Sequence, residues 1–185
     1  MRVALLGGEI GAGKTTAGQR IVDLARAWGL TCGGLLTPAL IEEGRKVGIV
    51  GVDLGSGERR LMARLDRDLG GPRVGCYYFA VDAFTWGNAV IASAADAGCD
   101  LLVVDEIGPL ELGRGGGLAP ALDLLDAVPR ALIVVRLSLV DTLRDRLKQG
   151  RVSLRAASLR VFLTTASSRD RLPDEIVSWL FIPNE

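Results

Sequence analysis

Residues 7–16 have the sequence GGEIGAGKTT and give the clearest indication of how this chain folds. Gly8 and the run Gly13, Lys14 and Thr15 match the pattern G-x-x-x-x-G-K-[ST] at each fixed position. Glycines let backbone N–H groups converge on phosphate oxygens without obstruction by a Cβ atom, and a helix N-terminus adds a favourable dipole. The pattern therefore predicts a phosphate-binding loop, or P-loop, between a strand and a helix.

The flanking sequence supplies both of these elements. Residues 3–7 form a short apolar run, typical of a strand that is buried on both faces. Apolar residues then recur at helical spacing, at Ala17, Ile21, Leu24 and Trp28. Gly29 stands where a helix is expected to end. The competing dinucleotide pattern G-x-G-x-x-G fails, because its third glycine, counted from Gly11, would fall on Thr16.

Apolar runs alternate with helical patterns along much of the remaining chain. Further buried strands are predicted at 101–104, 131–135 and 159–165, and helices at 82–97, 118–128, 139–147 and from Pro173 onward. Repeated alternation of this kind indicates an α/β fold with a mainly parallel sheet covered by helices.

The segment from about residue 33 to 65 departs from this alternation. Its three strand-like stretches are residues 33–41, 46–54 and 58–65. Because the short turns EEGR and GSG separate them, we predict an antiparallel β meander added to the parallel sheet. Residues 69–75 are interpreted as a loop. The whole chain, residues 1–185, is expected to be one domain, since single cores of this size are ordinary.

The charge composition narrows the possible chemistry. The 22 Lys and Arg residues equal the 22 Asp and Glu residues, so the formal net charge of zero argues against nucleic acid as a partner. The chain has no histidine, which excludes histidine-based triads and histidine metal sites. Catalysis must then use carboxylates, lysine, arginine, hydroxyls or a metal ion. Lysine occurs only at Lys14, Lys46 and Lys148, so its presence in the glycine-rich stretch favours a role there.

Cysteine usage and hydropathy predict a cytoplasmic protein. Cys32, Cys76 and Cys99 are isolated and lack metal-ligand spacing, so we expect them to be reduced thiols in the core. The N-terminal apolar run is shorter than the roughly 7 to 15 residues of a signal peptide core. No run approaches the roughly 18 apolar residues of a membrane span, so we expect no membrane partner.

Two adjacent carboxylates, Asp105 and Glu106, end the apolar strand of the stretch DLLVVDEIGPLEL. Open α/β sheets bind ligands at the carboxyl ends of their strands. Asp105 stands where a Walker-B aspartate would hold Mg²⁺, together with the Thr15 hydroxyl, while Lys14 would reach the β and γ phosphates. Glu106 could then orient and deprotonate a water molecule aimed at the γ phosphate, which favours hydrolysis over nucleotide binding alone. The alternative is that both carboxylates merely cap a solvated strand end.

Four stretches together resemble a known family: GGEIGAGKTT, GGLLTPALIEEGRKVGIVGVDLGSGE, DLLVVDEIGPLEL and SSRDRLPDEI. They are similar to the small THEP1-type nucleoside-triphosphatases, from residue 3 to about residue 180, and the middle stretch and DEIGPLEL are more specific than the P-loop. The resemblance implies a three-layer, RecA-like P-loop NTPase fold with an added antiparallel hairpin. It also implies Mg²⁺-dependent hydrolysis of ATP, GTP and other nucleoside triphosphates to diphosphate and phosphate.

The resemblance assigns roles to residues of this chain by matching position. The nucleotide-binding residues would be Gly8, Glu9, Ile10, Gly11, Ala12, Gly13, Lys14, Thr15 and Thr16. Asp105 would bind Mg²⁺, and Glu106 would activate water. The family commonly has an asparagine before the Arg-Asp pair of its C-terminal loop, whereas this chain has Ser168 before Arg169. Contacts to the nucleobase are therefore left open.

Four other basic residues are weaker candidates. Arg114 could supply the positive charge of an arginine finger, or it could be solvated in a loop. Arg45 and Lys46, at a predicted hairpin tip, could touch phosphates or simply face water. Arg169 could lie against the nucleobase or pack at a helix entry.

The leading hypothesis is a Mg²⁺-dependent nucleoside-triphosphatase that acts on ATP, GTP, CTP and UTP with little base selectivity. One alternative is a P-loop kinase for a nucleoside or cofactor precursor, with the β meander as its acceptor site. Another is a nucleotide-dependent switch that binds a protein partner.

Overall fold

One mixed β-sheet runs through the part of the chain that the computed structural model describes, residues 1–149 and 158–182. Its strands are β1 (Arg2–Gly8), β2 (Cys32–Leu36), β3 (Ala39–Glu42), β4 (Arg45–Asp53), β5 (Arg59–Arg64), β6 (Gly70–Val74), β7 (Tyr77–Ala80), β8 (Leu101–Ile107), β9 (Arg130–Arg136) and β10 (Ser158–Thr164). They follow the order β10-β1-β9-β8-β2-β4-β5-β7-β6, and β3 pairs with β4. One continuous sheet is consistent with a single domain over residues 1–185. The single domain itself stays a prediction.

Helices cover both faces of this sheet. They are α1 (Lys14–Ala27), α2 (Ala83–Asp96), α3 (Pro109–Arg114), α4 (Val140–Gln149) and α5 (Leu172–Phe181), with 3-10 turns at Ala119–Ala127 and Leu137–Leu139. The segment predicted as a helix at 118–128 is thus helical, in the 3-10 form, over Ala119–Ala127. Among residues 1–149 and 158–182, no helix has the length and apolar character needed to cross a membrane.

The core is divided into two layers by the sheet, as the alternation of side chains along β1 shows. Val3 and Leu5 pack into the cluster that contains residues of α2 and α4, whereas Ala4 and Leu6 pack into the cluster beneath α1 and α5. Successive side chains of a strand point to opposite faces, so a strand that is covered on both sides must be apolar throughout. These layers confirm the predicted three-layer α/β fold.

The sheet has a parallel core, in which β10, β1, β9, β8 and β2 pair in that order. All strands from β3 to β7 pair antiparallel, and we call residues 39–80 the antiparallel extension. Strand β4 joins the extension to β2. The confirmed architecture is therefore an α/β fold with a parallel core and an added antiparallel part. The expected parallel character holds for the core, because four strand pairings within the described residues are parallel and five are antiparallel.

The boundaries of the extension differ from the expected residues 33–65. Residues 33–41 form two strands rather than one, because the fully buried β2 belongs to the parallel core and only the largely exposed β3 belongs to the extension. Residues 70–74, expected as a loop, form β6 at the sheet edge. An edge strand tolerates Pro72, which has no N–H to donate to a neighbouring strand.

Close backbone contact between β2 and β8 requires a glycine at position 34. Gly34 has φ +99°, and a Cβ atom on it would lie 2.2 Å from the carbonyl oxygen of Val103. No side chain fits that distance. Packing against β8 within the parallel core therefore explains Gly34, the second glycine of the pair in β2.

The order of the central strands determines where the polar side chains lie. Strand β9 lies between β1, which leads into the glycine-rich loop, and β8, which ends in the two carboxylates. The carboxyl ends of the three parallel strands therefore lie side by side at one edge of the sheet. Ligands of open α/β sheets bind at this edge.

Candidate active site

The loop between β1 and α1 has the backbone that its glycines predict. Gly11 and Gly13 have φ +81° and +89°, in the left-handed region that favours glycine. A Cβ atom on Gly8 would lie 2.9 Å from the carbonyl oxygen of Thr164, so the loop also packs closely against β10. Gly13 is the N-cap of α1, whose first turn leaves backbone N–H groups free for an anion.

Lys14 curls back over this loop. Its Nζ donates hydrogen bonds to the carbonyl oxygens of Gly8, at 2.9 Å, and Glu9, at 2.8 Å. Partial burial lowers the pKa of Lys14, although the negative charges of Glu106 and Asp105 oppose that change. The amine is thus held at the mouth of the loop, beside the carboxylates of β8.

Asp105 is a buried carboxylate, 1% exposed, near the end of β8. Its Oδ2 accepts hydrogen bonds from the backbone N–H of Thr37, at 2.9 Å, and from the Thr37 hydroxyl, at 3.0 Å. Burial raises the pKa of Asp105 to about 6, because it removes the ionised form from water, while hydrogen bonding by Thr37 and Thr15 favours that form. The hydrogen bond from Thr15 links the strand end to the first turn of α1.

Glu106 has a strained backbone and an accessible side chain. Its φ of +76° lies in the left-handed region, which is costly for a residue with a Cβ atom. Its side chain is 43% exposed, in contrast to the neighbouring Asp105. Backbone strain of this kind is common at active sites and ligand-binding positions, where the surrounding structure holds the strained residue in place. Two adjacent carboxylates therefore have opposite environments, one buried and hydrogen bonded, the other open to the cleft.

Arg136, at the end of β9, faces Glu106 across a distance of 4.0 Å, from Nη2 to Oε1. Its Nε is buried and has no hydrogen-bond partner within residues 1–149 and 158–182. Buried N–H groups are nearly always paired, so the unpaired Nε of Arg136 is a donor left unused in this structure. Its positive charge also contributes to lowering the pKa of Lys14.

A cleft of about 780 Å³ joins these groups to the antiparallel extension. Of the residues expected to bind nucleotide, those that line it are Ile10, Gly11, Gly13, Lys14, Thr15 and Thr16. Asp105 and Glu106 line it as well, whereas Gly8, Glu9 and Ala12 belong to the loop but not to the cleft lining. The predicted residues thus come together at one cleft.

The weaker candidates are distributed differently. Arg114 is exposed in the last turn of α3 and lies outside the cleft lining. Lys46 lines the cleft and its neighbour Arg45 does not. Arg169 lies beside the P-loop, since its Cδ is 3.8 Å from where a Cβ atom of Gly13 would stand. The expectation of three core thiols is wrong for Cys76, which is exposed at the β6–β7 turn and lines the cleft.

The cleft residues that sequence reasoning missed include Thr37, Arg59 and Arg136. A signal was available for Arg136, because it is the polar residue that ends the buried run ALIVV, as Asp105 ends its own run. Thr37 gave a weaker signal as the first polar residue after β2. Arg59 gave none, since its place in the cleft depends on how the extension folds back.

Helices on both faces of a parallel sheet, with a P-loop after one strand and carboxylates at the end of another, define the class of P-loop NTPases. Residues 3–177 match a family described as NTPase. Nucleoside-triphosphatase THEP1 of Methanopyrus kandleri is 34% identical over 177 residues, covering 94% of this chain and 92% of the relative. That of Thermofilum pendens is 32% identical over 176 residues, covering 93% and 91%.

A similar fold occurs in the solution structure of a human cancer-related nucleoside triphosphatase. It covers all of both chains with a TM-score of 0.69 and 24% identity, and it shows the fold alone. By the family match and these relatives, the chain belongs to the THEP1-type nucleoside-triphosphatase family, which is an enzyme family of nucleoside-triphosphate phosphohydrolases. The resemblance seen in the four sequence stretches is confirmed.

Proposed function

We propose that the chain is a Mg²⁺-dependent nucleoside-triphosphatase that hydrolyses ATP, GTP, CTP and UTP to diphosphate and phosphate. The observation that carries this proposal is the meeting of Lys14, Asp105, Glu106 and Arg136 at one cleft. These groups come from the P-loop and from the ends of β8 and β9, and together they offer the charges that phosphoryl transfer to water requires.

Phosphate binding is assigned to the P-loop and Lys14. The N–H groups at the start of α1 face the loop, and a triphosphate would give them charged acceptors. Lys14 Nζ donates hydrogen bonds to two neutral carbonyl oxygens. It can exchange them for β and γ phosphate oxygens, because hydrogen bonds to a charged acceptor are stronger than those to a neutral one. The lysine thus needs no large rearrangement to bind its ligand.

The Thr15 hydroxyl and the Asp105 carboxylate fit the needs of Mg²⁺. This ion prefers oxygen ligands and is usually bound by one or two protein groups, with waters and phosphate oxygens completing its shell. Thr15 and Asp105 would supply the protein's share of such a shell, and the phosphate oxygens and waters the rest. Bound Mg²⁺ would neutralise charge on the β and γ phosphates.

Glu106 is assigned as the residue that orients the attacking water and accepts its proton. Its exposed carboxylate stands at the cleft, whereas the buried Asp105 is engaged by Thr37. As the water oxygen attacks phosphorus, the bond to the leaving diphosphate oxygen breaks and negative charge accumulates on the phosphoryl oxygens. We assign Arg136, whose Nη2 lies 4.0 Å from Glu106 Oε1, to the stabilisation of that charge from within the same chain.

Phosphate release from the four triphosphates, with and without Mg²⁺, tests the proposal. We expect Glu106→Gln to slow release by about 10²-fold to 10⁴-fold, the usual contribution of a general base. Glu43→Gln is the matched control, because Glu43 is also exposed and also has a positive φ but lies on the extension outside the cleft. Full turnover by Glu106→Gln would show that the base is assigned wrongly.

The role of Arg136 is tested by comparing two arginine variants. We expect Arg136→Ala to lower kcat by about 10²-fold or more, because an arginine that stabilises transition-state charge contributes at least that much in related chemistry. Arg114→Ala should stay within twofold of the wild type, since its side chain lies outside the cleft lining. If Arg114→Ala lowered kcat more than Arg136→Ala, the arginine that stabilises the transition state would be Arg114.

A second candidate, phosphoryl transfer to an acceptor other than water, is favoured by the extent of the cleft. The cleft continues past Glu106 along the antiparallel extension, where an acceptor has space. Such a kinase would produce a phosphorylated acceptor and little inorganic phosphate. Separation of the two products decides between the candidates.

A further inference from the structure

The side of the cleft beyond Glu106 is not needed for the nucleoside of a bound triphosphate. This point rests on the proposed function, which assigns the γ phosphate to the neighbourhood of Glu106 and Arg136. Both residues end strands on the extension side of β1, whereas β10 and Arg169 lie on its other side. A phosphate chain held by the P-loop with its γ end toward β8 therefore directs its nucleoside toward β10.

The part of the cleft on the extension side, which we call the outer cleft, has an apolar wall and two cations. Its lining includes Pro38, Val52, Val74, Tyr77, Lys46 and Arg59. Lys46 Nζ lies 5.2 Å from the centroid of the Tyr77 ring. In the described part of the chain, no carboxylate lies within 4.0 Å of the charged groups of Lys46 or Arg59.

Charge is unevenly distributed over the cleft as a whole. Four cationic side chains line it, Lys14, Lys46, Arg59 and Arg136, against the two carboxylates Asp105 and Glu106, although the chain carries no net charge. The proposed function uses Lys14 and Arg136 for the triphosphate. Lys46 and Arg59 are then available to a second anion, and a cleft lined by one sign of charge concentrates such a ligand.

We propose that the outer cleft binds a second ligand with a flat aromatic body and a phosphate dianion, the chemistry of a nucleoside monophosphate. Lys46 and Arg59 would contact the phosphate, and Tyr77 with the neighbouring apolar side chains would contact the ring. The volume of about 780 Å³ lies toward the upper end of the range of roughly 300 to 1,000 Å³ for small-molecule sites, which leaves space beyond a triphosphate group. The second ligand would face the γ phosphate.

The test uses the full chain with Mg²⁺ and a saturating non-hydrolysable triphosphate analogue, so that the P-loop is blocked. Isothermal titration with AMP, GMP, CMP and UMP should then show one further site for at least one of them. The double variant Lys46→Ala, Arg59→Ala should weaken that binding at least tenfold while changing the affinity for the analogue less than twofold. Arg45→Ala, next to Lys46 but outside the cleft lining, should leave both affinities unchanged.

Three outcomes would overturn the proposal. They are absence of monophosphate binding to the loaded wild type, an equal loss of analogue affinity in the double variant, and inorganic phosphate binding as tightly as every monophosphate. Phosphate release from hydrolysable triphosphates, measured on the same protein without the analogue, distinguishes failure of the second site from failure of the proposed hydrolysis. Normal release without monophosphate binding rejects only the second site, whereas analogue binding without release rejects the proposed hydrolysis.

Discussion

Glu106, the residue proposed to activate water, has a backbone conformation that is unfavourable for any residue other than glycine. A residue with a Cβ atom in the left-handed region costs about 1 kcal/mol or more relative to glycine. The residues before and after it in the chain, Asp105 and Ile107, are both buried and anchor the strand end on either side. The exposed carboxylate of Glu106 therefore reaches the cleft from a backbone conformation that lowers the stability of the fold.

Glu106→Gly should therefore make the protein more stable and inactive at the same time. We expect the free energy of unfolding in urea to rise by about 1 kcal/mol, because glycine relieves the positive φ. Glu106→Gln should change stability by less than about 0.5 kcal/mol, since it keeps the Cβ atom. A less stable Glu106→Gly variant would show that the side chain itself stabilises the fold.

The buried carboxylate of Asp105 predicts a pH-dependent effect of substitution. Its pKa is about 6 in the folded protein and about 3.9 in an unfolded chain, so the folded state binds the proton more tightly. Ionised Asp105 then destabilises the fold above pH 6, by up to about 3 kcal/mol, and this cost is absent below about pH 4, where both states are protonated. Asp105→Asn should raise the free energy of unfolding at pH 7.5.

The same variant supplies its own control at lower pH. At pH 4 Asp105→Asn should differ little in stability from the wild type, because the wild-type carboxyl is then neutral as well. Phosphate release at pH 7.5 should be lost despite the greater stability. A variant that is less stable than the wild type at pH 7.5 would mean that the Thr37 and Thr15 hydrogen bonds outweigh the burial of charge.

At the scale of elements, the pairing of β2 with β8 depends on Gly34. An alanine there would bring its Cβ atom to 2.2 Å from the Val103 carbonyl oxygen, and we expect Gly34→Ala to cost more than about 3 kcal/mol. Gly29→Ala is a matched control, because Gly29 also has a positive φ, of +79°, but open space around it. It should cost about 1 kcal/mol in the same urea titration. Similar losses in both variants would remove the packing explanation.

The elements that the sequence predicted correctly are those with one environment along their length. Strands β1, β8 and β9 each contain a continuous apolar run because helices cover both faces, and α1 has a regular apolar stripe. The segment at residues 33–41 was harder, because its first half joins the parallel core and its second half the extension. Hydropathy alone does not distinguish a break at Pro38 from a continuous strand.

At the scale of the whole molecule, the candidate site was predictable where its residues share one motif or one strand end. The P-loop and the Asp105 and Glu106 pair could be located in this way. Arg136 and Arg59 could not, since their relevance depends on the insertion of β9 beside β1 and on the folding of the extension over the cleft. Both are tertiary effects, set by strands that are distant in sequence.

The insertion of β9 between β1 and β8 also determines when during synthesis the enzyme can become active. Strands β1 and β8 have no direct hydrogen bonds to each other, so the P-loop and the carboxylates are brought into register by a strand made later, Arg130–Arg136. Contacts between such distant segments form slowly, because a long stretch of chain must first be closed into a loop. A nascent chain that has left the ribosome only as far as β8 therefore holds both motifs but lacks the strand that aligns them.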